Sequence, residues 1–177
     1  MKVDSSLIHR LFYPQVPLVM AAQSGGRVSA MPVVSYASIS DSPPLVAVAC
    51  NPSGFTCKLA LKAGSYSLSV LDRKLAGAVS LLATISGAKA KDKLTDAGLK
   101  YHKGTVLDVP VIDEALATME CKLSSSRKLG DHRLLVARVE AAYATDAFTD
   151  FWNFRVYKPL LYTGWRNGLS TYPDAQV

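Results

Sequence analysis

The segment at residues 132–144, HRLLVARVEAAYA, restricts the possible folds of this chain more than any other part of its sequence. In an extended strand alternate residues share a face, so Leu135, Ala137 and Val139 lie on one side. The other side begins with Leu134 and Val136, which are also apolar, before it turns polar. A strand that is apolar on both faces over its first half has to be covered on both, which indicates a closed barrel or a second subunit.

Further strands precede this segment. Residues 16–23, 27–40 and 44–50 have strand character, and SGG at 24–26 predicts a hairpin because glycine adopts the positive φ angles of such turns. Pro32 predicts a bend or an edge position in the second strand. Three consecutive strands with short links predict an antiparallel meander.

Short helices are expected between the later strands. Residues 54–63 predict a helix that ends at Gly64, residues 75–85 a second helix, and LTDAGL a third. Strands are expected at residues 66–71 and, in the last third of the chain, in TMECKL and PLLYTG. The sequence therefore predicts one domain over residues 1–177 with a mainly β fold, a six- or seven-stranded antiparallel barrel with inserted short helices.

Composition narrows the class of protein. Hydrophobic residues make up 49% and charged residues 19% of the 177 residues, which is typical of a globular chain. The mean hydropathy of +0.16 favours a surface reserved for a partner subunit. The longest apolar stretch near the start, VPLVMAA, is too short to span a bilayer and lacks the basic region of a signal peptide, so we expect a cytoplasmic protein without a membrane anchor.

The net charge of +6 fits an anionic partner, which includes nucleic acid, an anionic cofactor or an anionic substrate. No RNP-like aromatic pattern, helix-turn-helix signature or basic arm accompanies it, so a solvated basic surface is the simplest interpretation. Three cysteines without a C-x-x-C or Cys/His pairing predict neither a disulfide framework nor a zinc site, and hence no metal. Cys57 is placed in the first turn of a predicted helix, where a thiolate would be stabilised.

Two hydroxyl-rich corners flank the strand at residues 44–50. In NPSGFT, Asn51 or Ser53 is a candidate N-cap, and the free N–H groups at a helix start form a ready site for an anion. Ser53 and Thr56 add hydroxyl donors there, and Lys58 adds a charge. At the other corner Ser38 and Ser40 alternate on an extended segment and could line a flat polar ring, although solvated edge residues would look the same.

The order of these motifs resembles the flavin reductase-like family, which includes flavoredoxins and NAD(P)H:flavin oxidoreductases. The likeness is carried by SAMPVVSYASISDSPPLVAVACNPSGFTCKLALKAGSYSLSVL, followed by DKL, ECKL, GDHRLLVARVEAA and PLLYTG in the same order. It covers most of the chain. The resemblance implies an FMN-binding split β-barrel of the Greek-key type and a homodimer with FMN at the subunit interface.

The resemblance also implies roles for individual residues. His132 of GDH matches a position that in the family lies beside the flavin, where the nicotinamide approaches, although a histidine at a strand start is often only structural. The ring-contacting segment would comprise Met31, Val34, Ser35, Tyr36, Ala37 and Ser38. The phosphate and ribityl segment would comprise Asn51, Ser53, Phe55, Thr56 and Lys58.

One stretch of the chain departs from the family pattern, and a second has two possible roles. TGWRNGLST stands where relatives carry a Gly-rich stretch with an Arg and a Tyr, and Trp165, Arg166 and Tyr172 are candidates for those parts. The lysines of AKAKDKL, which are Lys89, Lys91 and Lys93, either approach a phosphate from the partner subunit or belong to a solvated loop.

The function implied by the resemblance is that of an FMN-binding oxidoreductase that passes electrons from NADH or NADPH through FMN to a flavin, ferric or protein acceptor. One alternative is a flavoredoxin-like FMN electron carrier that is reduced by a protein partner. A second alternative is a basic small barrel that binds nucleic acid and has no flavin; the first two interpretations involve neither nucleic acid nor a membrane.

Overall fold

A computed structural model describes residues 2–164 and 169–171 of the chain. Its main strands are β1 (Leu18–Ser24), β2 (Arg27–Val33), β3 (Tyr36–Asp41), β4 (Pro44–Cys50), β5 (Ser65–Val70), β8 (Ala117–Leu129) and β9 (His132–Ala144). These seven strands form one antiparallel sheet in the order β2-β1-β5-β8-β9-β4-β3. Two small antiparallel pairs accompany it, β6 (Tyr101–Lys103) with β7 (Pro110–Ile112) and β10 (Leu160–Tyr162) with β11 (Leu169–Thr171). The predicted mainly β architecture is confirmed.

Short helices fill the connections. They are a 3-10 helix at Ser5–Phe12, α1 (Phe55–Ala63), a 3-10 turn at Arg73–Leu75, α2 (Ala76–Thr84) and α3 (Lys93–Asp96). Helix α1 ends at Gly64, as predicted. Within the described ranges, every helix is too short or too polar to cross a membrane.

The hairpin between β1 and β2 forms as the sequence predicts. Gly25 and Gly26 have φ angles of 60° and 70°, the left-handed values that a tight two-residue turn between antiparallel strands requires. The register then runs from Ser24 opposite Arg27 to Leu18 opposite Val33.

The expected meander of three strands is wrong, because residues 27–40 form two strands and not one. Strand β2 pairs with β1, whereas β3 pairs with β4 at the opposite end of the sheet order. Pro32 lies in the edge strand β2, where its missing N–H costs no sheet hydrogen bond. Only residues 34–35 separate β2 from β3, so the two ends of the sheet are held next to each other. This proximity of the two sheet ends fits the closed barrel that the sequence predicted.

The core has two parts, and β1 contributes to both. Leu18 and Met20 pack in a cluster with α1 and the strands β4, β5 and β9. Val19 and Ala21 pack on the other face, against α2 and α3. All six residues of β5 and the first five of β1 are buried, so these two strands are covered on both faces. In β9 the side chains of Leu135 and Ala137 are buried, but Leu134 and Val136 are only partly covered.

The cysteines correct a second expectation. Cys50 at the end of β4 and Cys57 in the first turn of α1 form a disulfide, and both are buried. A spacing of seven residues across a strand, a turn and a helix matches no motif, which is why the sequence pattern predicted no disulfide. Cys57 is therefore not a free thiolate, and Cys121 is a buried free cysteine.

Candidate functional site

Two adjoining cavities lie beside strand β2. The first, of about 540 Å³, contains His132 in its wall and is called here the His132 cavity. The second, of about 500 Å³, contains Lys93 and is called the Lys93 cavity. Both are lined by Met31, Pro32 and Ala83, so the two cavities adjoin, and together they are called here the groove.

The His132 cavity is built mainly from strand ends and from helix α2. Residues 33–35 and 49–51 line one part of it, and Val79 and Thr84 of α2 line another. His132 begins β9, and its Nδ1 lies 2.8 Å from Oδ1 of Asp131. The hydrogen bond from His132 lowers the pKa of the Asp131 carboxyl. The histidine side chain is about half exposed, so it stands at an accessible edge of a largely apolar cavity.

The Lys93 cavity contains the start of helix α1. The N-cap residue is Gly54, and no side chain caps this helix end. The prediction that Asn51 or Ser53 is the N-cap is wrong, because Asn51 Oδ1 accepts hydrogen bonds from the N–H and Oγ of Ser53 at 2.9 and 2.8 Å, within its own turn. The uncapped start of α1 therefore keeps its N–H groups and its positive dipole end for an anion.

Thr56 and Ser29 form a buried pair at this helix start. Their hydroxyl oxygens lie 2.8 Å apart, and the two residues are 2% and 0% exposed. The Thr56 hydroxyl, which the sequence suggested as a donor to a ligand, is thus already engaged inside the protein. Four residues of the predicted phosphate segment, Ser53, Phe55, Thr56 and Lys58, line this cavity. The fifth, Asn51, lines the His132 cavity instead.

Lys93 is the most unusual residue of the groove, because it is a lysine that is only 5% exposed. Burial lowers the pKa of its ammonium group, and no carboxylate of the described residues forms an ion pair with it. Buried charges are normally paired, so this cation favours an anionic ligand in the cavity. Lys89 and Lys91 are exposed, so of the three loop lysines only Lys93 lines the groove of its own chain.

The residues of the predicted ring-contacting segment lie in different parts of the structure. Met31, Val34 and Ser35 line the groove. Tyr36 instead lines a separate apolar cavity of about 660 Å³ beside Trp152 and Tyr157, and its hydroxyl donates to the backbone oxygen of Val16 at 2.6 Å. Ala37 and Ser38 are exposed on the edge strand β3.

Several groove residues were not singled out by sequence reasoning. Tyr13 and Tyr162 line the His132 cavity with their rings in an edge-to-face arrangement, 4.9 Å between centroids. Backbone hydrogen bonds between Gln15 and Tyr162, of 3.1 and 2.8 Å, join the N-terminal segment to β10 at this point. Trp165, Arg166 and Tyr172, the C-terminal candidates, lie outside the described residues.

The fold and the groove define a class of protein, small antiparallel barrels of the FMN-binding split-barrel type. The flavin reductase like domain matches residues 9–166 of this chain. This chain belongs to that family.

Individual relatives agree with this family. An uncharacterised protein of Aeropyrum pernix is 33% identical over 164 residues, which are 92% of this chain and 62% of that protein. The chain thus spans less than two thirds of the length of that relative. The NADH-dependent flavin reductase StyB of Pseudomonas fluorescens is 27% identical over 148 residues, 82% of each chain. A crystal structure of an FMN-binding protein from Thermus thermophilus with bound 1-cyclohex-2-enone superposes with a TM-score of 0.84 at 27% identity, covering 97% of this chain and 94% of that one.

Proposed function

We propose that this protein is an FMN-dependent NAD(P)H oxidoreductase that holds FMN in the groove formed by the two cavities. The observation that carries the proposal is the polarity of this groove. One end is a largely apolar cavity with aromatic walls, and the other end has a buried unpaired cation and an uncapped helix start. FMN has the matching polarity, with a flat ring system at one end and a phosphate at the other.

Different residues of the groove would bind different parts of FMN. Lys93, Lys58 and the start of α1 would hold the phosphate through charge and backbone N–H groups. Met31, Val34 and Ser35 would line the place of the ring, and His132 would stand where the nicotinamide of NADH or NADPH approaches. Bound FMN supplies the redox chemistry, which is acceptance of a hydride and its onward transfer as electrons. The protein would orient the flavin ring and the nicotinamide relative to each other and limit the access of water to them.

The proposal includes a homodimer as the working form. Phe12, Phe151 and Phe154 are 69%, 74% and 61% exposed, and large exposed apolar side chains support a surface that a second subunit covers. The acceptor of the electrons is a flavin, a ferric compound or a protein. The name of the Pseudomonas fluorescens relative supports a flavin acceptor and NADH as the donor.

A spectroscopic experiment tests the proposal. Purified protein is incubated with FMN, freed of unbound flavin and examined for the visible flavin absorbance; NADH or NADPH is then added without oxygen. We expect a yellow protein whose flavin band disappears with at least one of the two nucleotides. A protein that stays colourless would refute flavin binding. A yellow protein that neither nucleotide reduces would refute the reductase and indicate a flavoredoxin-like carrier.

A further inference from the structure

We propose that Arg27 is the positioning residue of the Lys93 cavity, because it fixes the loop that forms one wall of that cavity. This inference rests on the proposed function, since it concerns how the groove holds a phosphate. Arg27 is the first residue of β2, directly after the Gly25–Gly26 hairpin, and it is not among the residues that line the groove.

The side-chain contacts of Arg27 go to two places, the loop at residues 86–90 and the ring of Phe55, and both places contribute residues to the cavity wall. One terminal nitrogen, Nη2, lies 2.8, 2.8 and 2.6 Å from the backbone oxygens of Gly87, Ala88 and Ala90, and its two N–H groups donate to this set of oxygens. The guanidinium carbon lies 4.4 Å from the centre of the Phe55 ring, a cation–π contact. A single side chain thus joins the loop at residues 86–90 to the first residue of helix α1.

The same strand end also fixes the segment that carries Lys93. The N–H of Val28 donates to the backbone oxygen of Lys91 at 3.1 Å. Asp92 then accepts hydrogen bonds from the N–H groups of Leu94 and Thr95, both at 3.1 Å, and so begins the short helix α3. Lys93 therefore takes its place between a loop held by Arg27 and a helix turn that is held by Asp92.

Close packing makes this wall sensitive to small displacements. A Cβ on Gly87 would lie 2.7 Å from Ser29 Oγ and 3.0 Å from Phe55 Cβ, so only glycine allows the loop to approach α1 this closely. Lysine in place of Arg27 keeps the charge but has neither the planar group that stacks on Phe55 nor the fixed geometry that reaches several carbonyl oxygens. The substitution Arg27→Lys therefore separates the effect of the positive charge from the effect of positioning the loop.

The experiment compares the affinities of the protein for FMN and for riboflavin, which lacks the phosphate, in Arg27→Lys and in the wild type. Arg138→Lys is the matched control, since Arg138 is exposed on β9 and lines neither cavity. We expect Arg27→Lys to weaken FMN binding about tenfold, roughly the net value of one hydrogen bond, with riboflavin affinity within about twofold of wild type. Lys93→Met should weaken FMN binding in the same selective way and also reduce its dependence on salt, whereas Arg27→Lys should keep that dependence.

A second readout does not require any ligand. The N–H groups of Lys89 and Ala90 donate to the backbone oxygen of Ser86, both at 3.0 Å, and their hydrogen exchange reports the order of the loop. We expect about tenfold faster exchange at these two amides in Arg27→Lys and no change in Arg138→Lys. Unchanged exchange, unchanged FMN affinity, or equal losses for FMN and riboflavin would each overturn the positioning role. Wild-type protein that binds neither flavin would refute the proposed function and leave the exchange result to decide on Arg27.

Discussion

Replacement of Glu120 by glutamine should destabilise the protein strongly, although Glu120 lies away from the groove. Glu120, the first residue of the ECKL motif in β8, is fully buried. Its carboxylate accepts hydrogen bonds from the N–H groups of Thr105 at 2.8 Å, Val106 at 3.1 Å and Leu107, and from the hydroxyl of Tyr143. One buried charge thus holds the loop between β6 and β7 against the barrel.

The size of the effect follows from these donors. Glutamine has one oxygen and one NH₂ group in place of two oxygens, so the NH₂ faces N–H donors that then lack an acceptor. Each buried donor left without a partner costs about 1–3 kcal/mol, and we expect a total loss of about 3 kcal/mol in the free energy of unfolding. For a chain of this length that corresponds to a melting temperature about 6–12 °C lower.

The pKa of Glu120 determines how the difference in stability between wild type and Glu120→Gln changes with pH. Burial raises the pKa of Glu120, but the hydrogen bonds from Tyr143 and from the backbone of the loop outweigh this and leave it lowered. A carboxyl with a lowered pKa in the folded state stabilises the protein above its unfolded pKa, about 4.3, and this contribution is lost as the pH falls through the folded value. The difference between wild type and Glu120→Gln should therefore be largest near pH 7 and shrink below about pH 4.5.

Urea unfolding at several pH values measures this effect. Glu140→Gln on β9 is the control, since its side chain makes only a surface ion pair of 3.8 Å with Arg138 and should change the free energy of unfolding by less than about 0.5 kcal/mol. The prediction is wrong if the free energy of unfolding of Glu120→Gln at pH 7 is within about 1 kcal/mol of the wild-type value. It is also wrong if the loss of free energy of unfolding does not change with pH.

Two further substitutions test the groove. Thr56→Ala removes the partner of the buried Ser29 hydroxyl and should cost about 1–3 kcal/mol of stability, while FMN affinity changes less than about threefold; a tenfold loss of FMN affinity at unchanged stability would mean that the hydroxyl binds the ligand. His132→Ala should lower kcat/KM for flavin reduction by NADH about tenfold, or ~1.4 kcal/mol of transition-state binding, with FMN affinity near wild type. Stopped-flow absorbance measures this rate, and an unchanged rate would remove His132 from the reaction.

The elements that the sequence predicted well are those with local causes. The hairpin at Gly25–Gly26 depends on two residues that allow positive φ, and β9 has the bounds that its alternating pattern indicates. Helix α1 ends at its glycine for the same local reason. The family resemblance placed His132, Ser35 and Lys58 in the region of the groove.

The errors arise where the structure depends on distant contacts. The separation of β2 from β3 is decided by pairing with β1 and β4, and the residues at 34–35 carry no turn motif. The disulfide between Cys50 and Cys57 depends on how a strand and a helix are oriented. The burial of Lys93 could not be read from AKAKDKL, where three alternating lysines look alike, because the fold alone decides which of them turns inward.

A crystal structure of the protein with FMN tests the central claim most directly. We expect the phosphate at the start of α1 within hydrogen-bond distance of Lys93, about 2.7–2.9 Å, with the ring system in the cavity beside His132. A flavin bound instead in the separate cavity beside Trp152 and Tyr157, or a phosphate that does not contact Lys93, would contradict it.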